Sequence, residues 1–271
     1  MDNRPVGVFD SGLGGLTAAR KIRSILPSEN IIYFGDTSRV PYGGRSREIL
    51  LKYARQDVRF LRSFDIKAIV VACGTVSTTC LPQLQAENDL PVLGVVEPAC
   101  RRAVAVSKTR HVGLIATAAS VRSGTYEQII HALDPDVTVT ARACPLFVPL
   151  VENGRYERGD VVIETVAREY LEPIRGSGID TLILGCTHYP LLMDLIGEIM
   201  GPEVTLIDTG EEAAWELKRT LKAKNLLSDR AQEGTTTLYA SDQPEDFGLM
   251  AKHFLQEELT SPVLQVNIDR Y

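Results

Sequence analysis

Short runs of apolar residues recur along the chain, and each of them stops abruptly at small or polar residues. A run of this kind is typical of a strand that is buried on both faces and leads through a tight turn into a helix. The order strand, turn, helix repeats, and it predicts an α/β fold with parallel sheets covered by helices on both faces. The predicted strands are Val6 to Phe9, Ile31 to Phe34, Ala68 to Ala72, Val92 to Val95, Val112 to Ile115, Val137 to Ala141, Thr181 to Leu184, Val204 to Ile207, Thr235 to Ala240 and Val263 to Ile268.

The strands form two sets that resemble each other. The first set begins at Val6 and the second at Val112, an offset of 106 residues, and two cysteines in comparable surroundings, Cys73 and Cys186, are 113 residues apart. Steady offsets of this kind predict two similar parallel-sheet α/β domains related by a pseudo-twofold axis, with an active site in the cleft between them. A chance likeness between two α/β halves is the alternative.

The order of the strands also suggests where the domains meet. Residues 1–97 are predicted to form the first domain and residues 98–207 the second. The last stretch, residues 208–271, is predicted to return and complete the sheet of the first domain. No low-complexity linker marks either crossing.

Bulk composition narrows the class of protein. With 271 residues, 44% of them hydrophobic, the chain is long enough for a substantial core. A net charge of −6 argues against a nucleic-acid groove, because phosphate binding needs a basic face. No apolar stretch approaches the roughly eighteen residues of a membrane span, so no membrane contact is expected. A basic stripe on one side of a predicted helix is interpreted as a solvated face: Lys52, Arg55, Arg59 and Arg62.

Cysteine usage indicates a reducing compartment. The five cysteines are an odd number without C-x-x-C spacing, and no charged segment followed by an apolar one precedes Val6. The protein is therefore expected to be cytoplasmic. Three of the thiols, those of Cys80, Cys100 and Cys144, are interpreted as small buried hydrophobic groups.

Cys73 and Cys186 differ from the other three because each closes a buried strand and is followed at once by small hydroxyl-bearing residues. Ligands of such sheets bind beyond the carboxyl ends of the strands, so the two thiols could flank one small molecule from opposite sides. A helix N-terminus beyond each cysteine is predicted to lower its pKa from about 8.5 toward neutrality, where a thiol serves as acid or base. Inversion of a carbon stereocentre requires such an opposed pair.

A zinc site is the alternative interpretation of the second cysteine. Cys186 and His188 are both residue types that coordinate zinc. The sequence offers no second cluster of Cys and His with ligand spacing, and it contains only four histidines. The alternative is therefore disfavoured, and no metal ion is expected.

The glycine-rich loop after the first strand leads into a helix whose N-terminus favours a carboxylate or a phosphate. Gly12 and Gly14 fit the first two glycines of a dinucleotide fingerprint. Thr17 occupies the third position, however, and the carboxylate of Asp10 would repel a pyrophosphate. Nucleotide binding is therefore disfavoured.

The loop after the second strand, residues 35–44, is rich in glycine and contains a proline and Tyr42. Its hydroxyl group and free backbone N–H groups are well suited to hold an anionic side chain. An ordinary turn with a surface tyrosine is the alternative.

Five motifs occur in one order along nearly the whole chain: DSGLGG, GDTSRVPYGGRS, ACGTVST, GVVEPA and GCTHYPLL. In these motifs the chain resembles the glutamate racemases of the cofactor-independent aspartate/glutamate racemase superfamily. The resemblance implies interconversion of L- and D-glutamate for bacterial peptidoglycan, without pyridoxal phosphate or a metal ion. It also implies a homodimer and, as in some relatives, a contact with DNA gyrase.

The same resemblance implies a role for each motif residue. Cys73 and Cys186 correspond to two bases, of which one removes the α-proton as a thiolate and the other returns a proton to the opposite face as a thiol. Asp10 and His188 are implied to assist the neighbouring thiols, and Asp10 with Ser11 to bind the ammonium group. Tyr42 and Gly43 are implied to bind the side-chain carboxylate. Thr75 and Thr187 are implied to bind the α-carboxylate. Asp36 and Glu152 resemble further acidic residues near the family's site.

One motif departs from the family pattern. The family normally reads Cys-Asn-Thr, with the amide in contact with the amino acid, whereas here Gly74 follows Cys73. Loss of one hydrogen bond to a charged group costs about ten- to a hundredfold in binding or rate, so weak activity is expected. Gly74 and His188 are still expected among the substrate contacts. A racemase of aspartate or another amino acid, and a feebly active protein that binds glutamate or a partner, remain alternatives.

Overall fold

The computed structural model describes residues 1–271, which form ten strands and twelve helices. The strands are β1 (Val6–Asp10), β2 (Ile31–Gly35), β3 (Ala68–Val71), β4 (Val92–Gly94), β5 (His111–Ala116), β6 (Thr138–Ala143), β7 (Thr181–Gly185), β8 (Thr205–Asp208), β9 (Thr236–Ala240) and β10 (Leu264–Gln265). The helices are α1 (Leu16–Ile25), α2 (Arg47–Arg62), α3 (Gly74–Thr79), α4 (Leu81–Ala86), α5 (Val96–Val106), α6 (Ala118–Ser123), α7 (Thr125–Leu133), α8 (Phe147–Glu152), α9 (Val161–Arg175), α10 (Met193–Met200), α11 (Thr209–Ala223) and α12 (Pro244–Leu255).

The strands form two parallel sheets. The first sheet has the order β10-β9-β2-β1-β3-β4 and the second the order β6-β5-β7-β8. We call each sheet with its covering helices a half of the molecule. The run β2-β1-β3-β4 of the first half has the same order as the whole sheet of the second half, so the predicted fold of two similar α/β units is confirmed. Cys73 follows β3 and Cys186 follows β7, which are corresponding strands.

The last strands also return to the first sheet, where β9 pairs with β2. The end of the chain is less extended than the sequence suggests, because β10 has only two residues and a 3-10 turn begins at Ile268. The side chain of Asn267 caps this turn by accepting a hydrogen bond from the N–H of Asp269, which stops the strand. The exact domain boundaries proposed at residues 97 and 207 stay a prediction.

The two halves share one apolar core. A cluster of 40 buried residues includes Val6 and Val70 of the first sheet and Leu182 and Leu184 of the second. Helix α1 packs against α11 and α12 along the same boundary. Burial of this surface removes it from water and fixes the two sheets relative to each other, so the strand ends face a shared space.

Helix α2 illustrates how the sequence pattern becomes packing. Leu50, Ala54, Val58 and Leu61 are buried, whereas Lys52, Arg55, Arg59 and Arg62 face outward or lie at the rim. Arg55 pairs with Glu87 and Arg62 with Asp89, both at the surface. The basic stripe is therefore a solvated face, as predicted. No helix is both long enough and apolar enough to cross a membrane.

Candidate active site

A cavity of about 520 Å³ lies at the carboxyl ends of strands from both sheets. All of the predicted site residues line it except Asp36. The lining residues are Asp10, Ser11, Gly12, Val40, Pro41, Tyr42, Gly43, Gly44, Cys73, Gly74, Thr75, Thr117, Ala118, Cys144, Pro145, Val148, Pro149, Glu152, Gly185, Cys186, Thr187 and His188.

The Cys73 side of the cavity belongs to the first half. Cys73 is the residue before α3, and its thiol lies 3.7 Å from the hydroxyl oxygen of Ser11, to which it donates. Asp10 ends β1 and is buried, and its carboxylate accepts a hydrogen bond of 3.0 Å from the N–H of Gly12. The strand ends of β1 and β3 thus bring a carboxylate, a hydroxyl and a thiol together.

The prediction of a lowered pKa is wrong for Cys73. Burial, and after it the charge of Asp10, raise the pKa of this thiol to about 12. Helix α3 has only six residues, and its N-terminal dipole is too small to offset removal of a thiolate from water. Burial likewise raises the pKa of Asp10 above its ordinary value. Cys73 is therefore a thiol at neutral pH.

The Cys186 side belongs to the second half. A 3-10 turn, rather than an α-helix, begins at Tyr189 beyond Cys186. The Nδ1 atom of His188 lies 3.8 Å from the Cys186 sulfur, and its Nε2 atom lies 2.9 Å from a carboxylate oxygen of Glu152. The imidazole ring also packs against the Phe254 ring in a T-shaped arrangement. His188 is thus held between a thiol and a carboxylate.

The charge of His188 distinguishes the second half from the first. Burial opposes protonation of this imidazole, yet its contacts with Cys186 and Glu152 outweigh burial and raise its pKa to about 10. A protonated imidazole stabilises a thiolate beside it. The two thiols therefore have opposite neighbours: a carboxylate beside Cys73 and an imidazolium beside Cys186.

The loops of the two halves approach each other closely. The hydroxyl group of Thr17 donates across the boundary to the carbonyl oxygen of Thr187, at 2.8 Å. A Cβ atom at Gly14 would collide with the Thr187 hydroxyl group and with the His188 ring. Thr17 and Gly14, weighed in the sequence only as parts of a nucleotide fingerprint, are thus contacts between the halves.

The segment after β3 that begins with Cys73 also closely approaches the second half. A Cβ atom at Gly74 would lie 3.0 Å from the carbonyl oxygen of Gly185, the residue before Cys186. The hydroxyl oxygens of Thr75 and Thr117 are 3.4 Å apart. The segments that carry the two cysteines therefore face each other across a narrow space.

Asp36 lies behind the cavity wall and is not among its lining residues. Its carboxylate accepts hydrogen bonds from the hydroxyl groups of Tyr42 and Ser241. Its side chain is 0% exposed, so it cannot touch a ligand in the cavity. Tyr42 is the residue between Asp36 and the ligand space.

Sequence reasoning assigned no role in the site to Thr117 or Cys144. Thr117 follows β5 and caps α6, and Cys144 follows β6 and is buried. Both are strand-end residues, so the rule that pointed to Cys73 and Cys186 could also have found them. Cys144 is buried as expected, but it is one of three thiols that line the cavity.

No group of three or more histidine, cysteine, aspartate and glutamate side chains in the chain is arranged to hold a metal ion. The polar groups that face the cavity are instead thiols, hydroxyl groups, carboxylates and one imidazole. These are donors and acceptors suited to a small zwitterion with charged groups at fixed positions.

Two thiols that follow corresponding strands of similar α/β halves and line one cavity are suited to an enzyme of proton-transfer chemistry, and comparison with known proteins identifies the family. The sequence model of the Asp/Glu/Hydantoin racemase family matches residues 20–217, and the chain belongs to this family. A glutamate racemase from Geobacter metallireducens is 44% identical over 269 residues, which are 99% of this chain and 98% of the relative.

Solved structures agree with the sequence comparison. A glutamate racemase isoform from Bacillus anthracis is similar with a TM-score of 0.94 and 37% identity, covering 98% of each chain. The glutamate racemase from Francisella tularensis, solved in complex with D-glutamate, is similar with a TM-score of 0.91 and 38% identity over 100% of each chain. The likeness covers both halves and therefore includes the cavity between them.

We expect replacement of Gly14 by alanine to destabilise the protein, because the added methyl group has no space between the loops. Overpacking of this kind costs about 1–3 kcal/mol in the free energy of unfolding, which urea denaturation measures. The matched control is Gly197→Ala in α10, where a Cβ atom would make an ordinary contact of 3.7 Å with Leu206. Equal stability of the two variants would contradict the close approach.

A second prediction concerns the charge of His188. NMR of imidazole-labelled protein should give a pKa of about 10 for this histidine, so it stabilises the fold fully below about pH 6.5 and loses that contribution as pH rises toward 10. Glu152→Gln should lower this pKa by about one pH unit, the low end of charge-pair effects, because Glu152 is 40% exposed. Glu157→Gln, at an exposed position, should change nothing. A wild-type His188 that titrates near 6.5 would refute the assignment.

Proposed function

We propose that this chain interconverts L- and D-glutamate without a cofactor, using Cys73 and Cys186 as the two proton-transfer groups. The observation that carries the proposal is the pair of thiols at corresponding strand ends of the two sheets, both of which line one cavity. The family and the names of its close relatives support glutamate as the substrate.

The cavity offers a seat for each charged group of glutamate. Asp10 and Ser11 would receive the ammonium group, and Thr75 and Thr187 would donate to the α-carboxylate. The backbone N–H groups of Tyr42 and Gly43 would hold the side-chain carboxylate at the far wall. Three fixed attachments orient the Cα–H bond along the line between the two thiols, which is the geometry that proton transfer requires.

Proton transfer then proceeds in one direction for each enantiomer. A thiolate on one side removes the α-proton, the resulting carbanion is planar, and the opposite thiol delivers a proton to the other face. Cys73, buried beside Asp10, starts as a thiol, so we assign the base of the first step to Cys186, whose neighbour His188 carries a positive charge. The pair thus begins as one base and one acid.

The developing dianion is the difficult intermediate, because the α-proton next to a carboxylate is very weakly acidic. Without an electron sink, only fixed dipoles in a dry cavity can stabilise it. The backbone N–H groups at the start of α3 and beyond Cys186, together with the hydroxyl groups of Thr75 and Thr187, supply such dipoles. His188 adds a positive charge near the Cys186 side.

The biological role follows from the product. We propose that D-glutamate made here serves bacterial peptidoglycan and that the enzyme works in the cytoplasm, which agrees with its five unpaired cysteines. The homodimer and the contact with DNA gyrase that the family resemblance implies stay predictions. A racemase of aspartate or another amino acid is the second candidate, because Gly74 leaves one wall of the cavity without a side chain.

Isotope exchange tests the mechanism. In D2O the wild-type protein should exchange the α-proton of both enantiomers, which proton NMR detects as loss of the α-proton signal. Cys73→Ser should abolish exchange from one enantiomer and Cys186→Ser from the other, because each serine is too weak a base for its own face. Cys80→Ser, a buried thiol outside the cavity, is the control. Exchange that survives loss of both Cys73 and Cys186 would refute the two-thiol mechanism.

A further prediction concerns Gly74. Gly74→Asn should raise kcat/KM for glutamate by about tenfold, because an added amide can donate to the α-carboxylate. The 3.0 Å approach to the Gly185 carbonyl oxygen leaves room for the new Cβ atom only if this contact yields by a few tenths of an ångström. Gly74→Ala separates the two effects, since it adds the Cβ atom without the amide and should give no gain. A fall in kcat/KM for both variants would mean that the added Cβ atom does not fit beside the Gly185 carbonyl oxygen.

A further inference from the structure

Asp57 is an ionisable residue on the buried side of helix α2. Its side chain is 0% exposed, and it follows Leu50 by two turns and precedes Leu61 by one, both of which are in the core. Burial of a carboxyl group costs free energy unless hydrogen bonds replace its water. The partners of Asp57 therefore indicate why a carboxyl group is present at this position.

Both partners of Asp57 belong to the loop that forms one wall of the cavity. The Nη2 atom of Arg39 donates to Asp57 at 2.9 Å, and the hydroxyl oxygen of Tyr42 lies 3.2 Å from the other carboxyl oxygen. Tyr42 itself lines the cavity, together with Val40, Pro41, Gly43 and Gly44. Asp57 thus links the helix to the loop.

Asp36 holds the same two side chains from the opposite end of the loop. Its carboxylate accepts from the Tyr42 hydroxyl group and, at 2.5 Å, from the Nε atom of Arg39. Arg39 also donates to Gln56 at 2.6 Å, and its guanidinium group stacks 4.2 Å from the centre of the Tyr53 ring. The hydroxyl group of Tyr42 and most N–H groups of the Arg39 side chain therefore donate to partners behind the cavity wall.

The charges of this network balance only if one carboxyl group is neutral. Asp36 and Asp57 are both 0% exposed, and Arg39, 11% exposed, is the one cation that contacts them. Tyr42 uses its only hydroxyl hydrogen in the hydrogen bond to Asp36. A protonated Asp57 can therefore donate a hydrogen bond to the Tyr42 oxygen. Burial and the charge of Asp36 raise the pKa of Asp57 well above its ordinary value, in agreement with a neutral carboxyl group.

We propose that Asp57 is a positioning residue, which together with Asp36 fixes Arg39 and Tyr42 and so holds the loop of residues 37–46 as one wall of the cavity. This inference rests on the proposed function, because Tyr42 and Gly43 are the proposed seat of the side-chain carboxylate of glutamate. A purely structural role would not require a carboxyl group here, since an apolar residue packs a helix at least as well as a buried charged one.

Two variants at this position separate the roles. Asp57→Leu keeps the bulk but removes both hydrogen bonds, whereas Asp57→Asn keeps an acceptor for Arg39 and a donor for Tyr42. For D-glutamate we expect the leucine variant to raise KM about three- to tenfold with kcat within twofold, because the wall holds ground state and transition state alike. The asparagine variant should stay within twofold of wild type in both constants.

Amide hydrogen exchange of residues 37–46, followed by mass spectrometry, gives a measurement that does not depend on turnover. Asp57→Leu should exchange this segment about tenfold faster than wild type or Asp57→Asn, because the loop has lost its anchor on α2. The control is Leu61→Ala, one turn further along the same helix, which removes core packing near Gly7 of β1. It should destabilise the protein yet leave KM and loop exchange unchanged.

The outcomes are distinct. A leucine variant with wild-type KM and loop exchange would overturn the positioning role, and an asparagine variant as impaired as the leucine one would overturn the neutral carboxyl group. If wild-type protein does not turn over glutamate, the proposed function fails. Faster exchange of the loop in Asp57→Leu alone would still support the positioning role in that case.

Discussion

The hydroxyl group of Thr17 donates to the carbonyl oxygen of Thr187, and at Gly14 the two loops meet where a side chain would not fit. These contacts tie the end of β1 in one sheet to the end of β7 in the other. Because the halves also share an apolar cluster, the distance between the strand ends is set by packing in the interior. Contacts between the halves therefore set how closely the two ends of the cavity approach each other.

The two halves repeat one topology but not one electrostatic environment. Cys73 has a carboxylate, Asp10, at the end of the neighbouring strand, and Cys186 has His188 two residues later, held by Glu152. Strand order decides where a thiol lies, whereas burial, and after it the charge of Asp10, sets the protonation of Cys73. The duplicated fold thus places unlike neighbours beside its two corresponding thiols.

Sequence patterns predicted the parts of the structure that depend on local periodicity. The strands, the equivalent order of the two sheets and the meeting of Cys73 and Cys186 in one cavity follow from apolar runs and from the rule for strand ends. The pKa of Cys73 did not follow, because desolvation depends on the whole fold and outweighs a six-residue helix. Asp57 could have been noticed in the sequence, because an acidic residue one turn before Leu61 interrupts the apolar side of α2.

Electrostatic asymmetry also bears on how the site returns to its starting state under the proposed mechanism. Proton removal by the Cys186 thiolate ends with Cys73 as the thiolate, in an environment that raises the pKa of this thiol to about 12. That state is the less stable one, and a proton must reach Cys73 from nearby. The charge of the neighbouring Asp10 carboxylate adds to burial in disfavouring a thiolate at Cys73. Asp10 is followed by Ser11, whose hydroxyl oxygen already accepts from the Cys73 thiol. The Ser11 hydroxyl group is therefore in position to relay a proton back to Cys73 under the proposed mechanism.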